Sequence, residues 1–158
     1  MTSTEKPSAD NHYLAEHVSL LCNSYRLWTG KSLIPETMAN VDVGYLLFHA
    51  PIAVVSHNTA ADPVFNYANL KAMELFEMDW ETITSLPSRL SAEAINQDER
   101  ARLLNRVSEH GFIDDYSAIR ISSSGKRFRI KDATVWNLID ADGLYAGQAA
   151  MFSNWLFV

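Results

Sequence analysis

The residues able to do chemistry are of few kinds and widely spaced. Five histidines stand at His12, His17, His49, His57 and His110, and none shares a metal-ligand spacing with a carboxylate or cysteine. His12 and His17 fall off a single helical face. Thr29-Gly30-Lys31 lacks the upstream glycine of a phosphate loop. The single cysteine, Cys22, rules out an internal disulfide or a thiolate cluster. Serines, histidines and aspartates occur without the glycine-flanked elbow that would present a nucleophile. The sequence therefore implies no metal and no cofactor, and the chain reads as non-enzymatic. The catalytic alternative is an enzyme for a small anionic substrate, held by the region of Arg89, Tyr116 and Arg120. A structural reading of Arg89 pairs it instead with backbone carbonyls or with an acid such as Asp115.

The elements that must position these groups are legible from periodicity. Leu14, Val18, Leu21, Tyr25 and Trp28 form one apolar face of a helix predicted over Asn11 to Trp28 and stopped by Gly30. A second helix is predicted to open at Pro35 and to carry Met38, Val41, Tyr45 and Phe48 on one face. The run Ile52 to Val55 reads as a buried strand. A turn through Asp62-Pro63 leads to a second strand, Val64 to Tyr67. Asn69 is placed to cap a helix through Leu70, Met73, Leu75 and Phe76. After the Pro-interrupted stretch Leu86 to Ala92, Asn96 and Glu99 announce a long helix that buries Leu103, Leu104 and Val107 and stops at Gly111. Three strands follow: Ile113 to Ile121, Phe128 to Ile139 and Tyr145 to Trp155. The turns Ser122-Ser123-Ser124-Gly125 and Asp140-Ala141-Asp142-Gly143 separate them. On the middle strand, Phe128, Ile130, Thr134, Trp136 and Leu138 are expected on one face.

This order specifies an α+β fold: a five-stranded antiparallel sheet, a helical crossover on one of its faces, and two N-terminal helices left to cover the other face or a partner. The 158 residues are enough for one domain. Its expected parts are a loose tail (1–10), the N-terminal helices (11–49) and the sheet core (50–158). An apolar fraction of 47 % with 20 % charged residues is that of an ordinary globular chain. Thirteen Lys and Arg against 19 acids give a net charge of −6, which argues against nucleic acid as a partner. Lys126, Arg127, Arg129 and Lys131 read as the solvated side of a strand. With no basic-then-apolar leader and no long apolar run, neither secretion nor membrane insertion is expected, and the cytoplasm is the expected compartment.

The element order and several residue runs resemble the PAS domain, and more specifically the MEKHLA family. These are PAS-like domains found alone in bacteria and at the C-terminus of plant homeodomain–leucine-zipper regulators. The runs are His57 to Asn69, Leu86 to Ala92, Asp115 to Ile121, Ser124 to Ile130, Val135 to Leu138 and Met151 to Val158. The resemblance implies a sensory or interaction module that holds a small ligand between sheet and crossover helices, or binds a protein. Polar strand residues then become ligand candidates: Arg120, Trp136, Asn137 and Gln148, with Tyr116 and with Arg89 from the crossover. It also implies a possible homodimer through the N-terminal helix. Photoreactive flavin relatives carry a crossover-helix cysteine, whereas Cys22 lies upstream and reads as a small buried residue. Haem-binding relatives use a histidine on the long helix, a place open only to His110, whose charge suits the helix C-terminus by itself.

Overall fold

The first apolar stripe does form a helix, though a shorter one than its periodicity suggests. In the computed structural model, which describes residues 5–34, 42–93 and 97–158, helix α1 spans Ala15–Thr29 and ends at Gly30. The residues expected to be its first turn instead close a 3-10 turn at Ala9–Leu14, where His12, Tyr13 and Leu14 take left-handed backbone angles. That turn sets the Tyr13 ring against Tyr45 and Phe48. Of the described residues in the expected tail, Pro7 is buried whereas Glu5, Lys6, Ala9 and Asp10 are exposed. Val18 and Leu21 are wholly buried and Tyr25 nearly so. Each contributes about 1.5–3 kcal/mol, before the entropy of ordering the helix is counted. Helix α2, Val43–Phe48, is capped by the Asp42 carboxylate, which accepts from the N–H groups of Gly44 and Tyr45. The predicted start at Pro35 and the apolar positions Met38 and Val41 lie outside the described residues, and Tyr45 is exposed rather than buried.

Strands β1 (Ala53–His57) and β2 (Phe65–Ala68) pair antiparallel as a hairpin. The crossover follows: α3 (Leu70–Phe76), α4 (Trp80–Ile83), a 3-10 turn at Ser88–Ser91, and α5 (Gln97–His110). Asn96, the predicted cap of α5, lies outside the described residues. Then come β3 (Phe112–Ile121), β4 (Arg127–Ile139), β5 (Tyr145–Phe152) and β6 (Asn154–Phe157). The sheet order is β2-β1-β5-β4-β3, every pairing is antiparallel, and β6 adds to β4. The last strand thus divides at Ser153 and runs on to Phe157. Its register against β4 carries across Ser153, since Thr134 faces Met151 and Lys131 faces Asn154.

Asn69 ties the hairpin to both helical layers. Its Oδ1 accepts from the N–H groups of Ala72 (3.2 Å), capping α3, and of Val54 (3.0 Å) on β1. Its Nδ2 donates to the carbonyls of Leu47 (3.1 Å), at the end of α2, and of Ile52 (2.7 Å). All four capacities of a wholly buried amide are filled.

Helix α1 covers one face of the sheet and the crossover covers the other. On β4 the two faces exchange partway along. Asp132 has φ +52° and adds one residue to β4 opposite β3. A period of two survives an inserted residue only by swapping sides. Phe128 and Ile130 therefore face the crossover, Phe128 against Phe76. Thr134, Trp136 and Leu138 were expected to share their face, but Trp136 lies under α1, edge-on to Tyr25, with its indole N–H on the Leu21 carbonyl. Of the basic stretch, Lys126 pairs with Glu77 and Arg127 with Glu93 at the surface.

Candidate functional site: a cavity between sheet and crossover

A cavity of about 70 Å³ lies between the crossover face of the sheet and the crossover itself. By volume it holds roughly five water-sized spheres. Its walls are largely apolar, with Val55, Phe65, Phe76, Leu103, Ile130, Val135 and Phe152 lining it. The polar groups come from five separate elements, β5 among them with Gln148. Strand β1 places His57 two residues beyond Val55, on the same side of the pleat. The 3-10 turn supplies Ser88 and Ser91, α5 supplies Arg100, and β3 supplies Tyr116 and Arg120 four residues apart on one face.

Arg120 is buried. It donates from Nη2 to the Tyr116 hydroxyl at 2.9 Å and from Nη1 to the Ile119 carbonyl at 2.9 Å, and its guanidinium carbon stands 5.6 Å from the Tyr116 ring centre. Arg100 donates to the Ser88 hydroxyl at 2.6 Å. Burial first, and then the like charge of Arg120, hold the Arg100 guanidinium down at about 10. The carboxylate that pulls it back most is Asp62, which already takes Arg89 at 3.1 Å. His57 is held below its ordinary pKa, chiefly by burial and then by Arg100, against upward pulls from the Asn58 carbonyl and Gln148. Its Nδ1 donates to the Asn58 carbonyl at 3.0 Å, because a carbonyl can only accept; its buried Nε2 has no donor, since the nearby Gln148 turns its amide nitrogen to Asn137, Ser108 and the Leu104 carbonyl.

The six candidates from the sequence are distributed as follows. Tyr116, Arg120 and Gln148 line the cavity. Asn137 backs it: its Oδ1 accepts from Gln148 at 3.0 Å and its Nδ2 donates to the Val107 carbonyl at 3.0 Å. Trp136 is on the opposite face, turned there by the Asp132 bulge. Arg89 points outward, half exposed, to Asp62 rather than to Asp115 or the cavity, because the 3-10 turn directs Ser88 inward and its neighbour out. The anion-holding trio of Arg89, Tyr116 and Arg120 is thus not assembled; Arg100 stands where Arg89 was expected. Arg100 had a signal in the sequence, since it continues the stripe of Leu103, Leu104 and Val107 at helical spacing. His57 had one too, at the end of the alternation Ala53, Val55. Cys22 lies on α1, across the sheet from the cavity, and burial pushes its thiol up to about 11. His110 is exposed at the end of α5.

The sheet order and crossover are those of a PAS domain, and solved structures agree. A PAS domain protein from Colwellia psychrerythraea superposes with a TM-score of 0.60 at 10 % identity, over 68 % of this chain and 89 % of that one. An RNA-binding light-oxygen-voltage receptor gives 0.62 at 14 % identity, over 77 % of this chain and 35 % of that one. Among curated proteins, homeobox-leucine zipper protein HOX29 of Oryza sativa subsp. indica is 28 % identical over 145 residues, 87 % of this chain and 16 % of that protein. Homeobox-leucine zipper protein ATHB-14 of Arabidopsis thaliana is 27 % identical over 148 residues, 89 % of this chain and 17 % of that protein. The chain therefore spans about one sixth of the length of these relatives. Residues 15–157, from the start of α1 to the end of β6, match the MEKHLA domain, and by that match the chain belongs to the MEKHLA domain family.

Proposed function

We propose that the chain is a PAS-type sensory or interaction module without catalytic activity, in which the cavity on one face of the sheet and helix α1 on the other are read through β4. The observation that carries this reading is the bonding of Asn137. Its side chain holds the cavity residue Gln148 and the α5 carbonyl of Val107, while its own backbone carbonyl accepts the Trp28 indole N–H of α1 at 2.9 Å. A ligand that shifts Gln148 or α5 thus acts on a residue that also anchors α1. The polar groups in the cavity are mainly cationic and hydroxylic, a set suited to holding a molecule.

Helix α1 spends its apolar stripe on its own sheet, so a homodimer through this helix would have to use its outward side, where Leu27 is exposed. We place the module in the cytoplasm and give it a small ligand or a protein as partner, with nucleic acid disfavoured by the net charge of −6. Native mass spectrometry and light scattering on the purified protein test the proposal. A retained small molecule, absent from the denatured mass, or a defined assembly is the expected result. A bare monomer that also captures no partner would remove its support.

A further inference from the structure

We propose that the cavity is a receptor site for a short carboxylate bearing a hydroxyl group, with the carboxylate between Arg100 and Arg120 and the hydroxyl donating to His57 Nε2. The inference rests on reading the cavity as a ligand site and names the ligand class. Three observations carry it.

The first is uncompensated charge. Two guanidiniums line one small cavity, and no carboxylate among the described residues lines it with them. Arg120 is 8 % exposed, and its partners are a phenol hydroxyl and a backbone carbonyl, both neutral. Buried cations ordinarily have a counter-charge, because several kcal/mol of hydration are lost on burial. An anion entering here would supply it, with Ser88 and Tyr116 already bonded to the two arginines and holding their planes.

The second is the unpartnered ring nitrogen. His57 is 7 % exposed, and with its Nδ1 proton committed to Asn58 its Nε2 offers a lone pair and no proton. A lone pair wants a donor. A bare carboxylate has none to give it, whereas a hydroxyl does.

The third is size and wall chemistry. Space for about five water-sized spheres admits about four to seven heavy atoms and excludes flat polycyclic ligands. The apolar walls of Phe76, Leu103 and Ile130 give a hydrocarbon segment contact that inorganic phosphate or sulfate would waste, since those ions need polar partners on every side.

The experiment is calorimetric titration and thermal melting of the full chain with lactate and 3-hydroxybutyrate, against propionate, butyrate, lactamide and inorganic phosphate at matched ionic strength. The hydroxycarboxylates are expected to bind at least tenfold tighter than the acids lacking the hydroxyl and than the amide. Phosphate should do no more than sodium chloride. Arg100→Gln, at a partly exposed position that the fold tolerates, and Arg120→Met should each weaken lactate at least tenfold, and His57→Leu should erase the preference for the hydroxyl. The proposal is overturned if phosphate or lactamide equals lactate, if propionate equals lactate, or if both arginine variants bind unchanged. If none of the probes binds, it is overturned too, and native mass spectrometry then decides the broader reading separately. A retained neutral molecule would keep the sensory module and discard the carboxylate.

Discussion

Replacing Asn69 by Ala should cost this domain far more than the loss of a helix cap. Four buried hydrogen bonds converge on the side chain, from Ala72 and Val54 and to Leu47 and Ile52. Alanine leaves two backbone N–H groups and the Ile52 carbonyl without their partner at a position with no exposure, while the Leu47 carbonyl keeps its bond from the Ala50 N–H. At about 1 kcal/mol for each broken bond the loss is about 4 kcal/mol, against a total stability of roughly 5–15 kcal/mol for a domain. In a chain of this size that lowers the melting temperature by about 8–16 °C. Asp79→Ala is the internal control. Asp79 also caps a helix, accepting from the Thr82 N–H at 2.8 Å, but at an exposed site where its bonds go to Thr82 alone. It should cost about 1 kcal/mol. Urea unfolding followed by circular dichroism, with an unchanged slope in all three proteins, measures both. Should Asn69→Ala fall within 1 kcal/mol of Asp79→Ala, the idea that one amide clamps α2, β1 and α3 together is wrong.

Two further predictions concern the faces of the sheet. His17 is half-buried on the sheet side of α1 with its Nε2 2.9 Å from the Ser56 hydroxyl, and burial lowers its pKa to about 4. The unfolded chain takes a proton near pH 6.5 and the folded one does not, so stability is full above that pH and falls as pH drops toward 4. His17→Gln should remove a share on the order of 2 kcal/mol of that loss, and urea melts showing the same loss of stability between pH 7 and pH 4.5 in both proteins would refute it. Gly147 in β5 has φ +124°, and a Cβ there would overlap the His57 carbonyl oxygen. Gly147→Ala should cost at least about 2 kcal/mol, against about 1 at the open turn position Gly143; melting temperatures that fall equally would contradict this.

Much of this structure could be read along the chain. The stripes of α1 and α5, the two C-terminal turns and the cap at Asn69 are local patterns, and each folds as its pattern says except at the start of α1, where the first turn is lost to the left-handed run His12 to Leu14. The departures that bear on the cavity are ones of facing and of long-range pairing. Trp136 was expected beside Phe128, and a single residue, Asp132, puts them on opposite faces. Arg89 was expected inward, and its neighbour Ser88 points in instead. Arg100 was passed over although it stands in an apolar helical stripe, where a charged residue is itself the signal. Asp62 as the partner of Arg89 joins residues 27 apart, across β2, α3 and α4.

By itself, then, the sequence determined which segments are helix and strand, their order, and the antiparallel sheet they close, because spacing and turn chemistry act over a few residues. Only the tertiary structure decided which side chains meet in the cavity, because facing depends on bulges and on pairings between distant segments. The encounter of Arg100 from a helix, Arg120 from an outer strand and His57 from an inner one has no local signature. It exists because three elements distant in sequence pack around one small space.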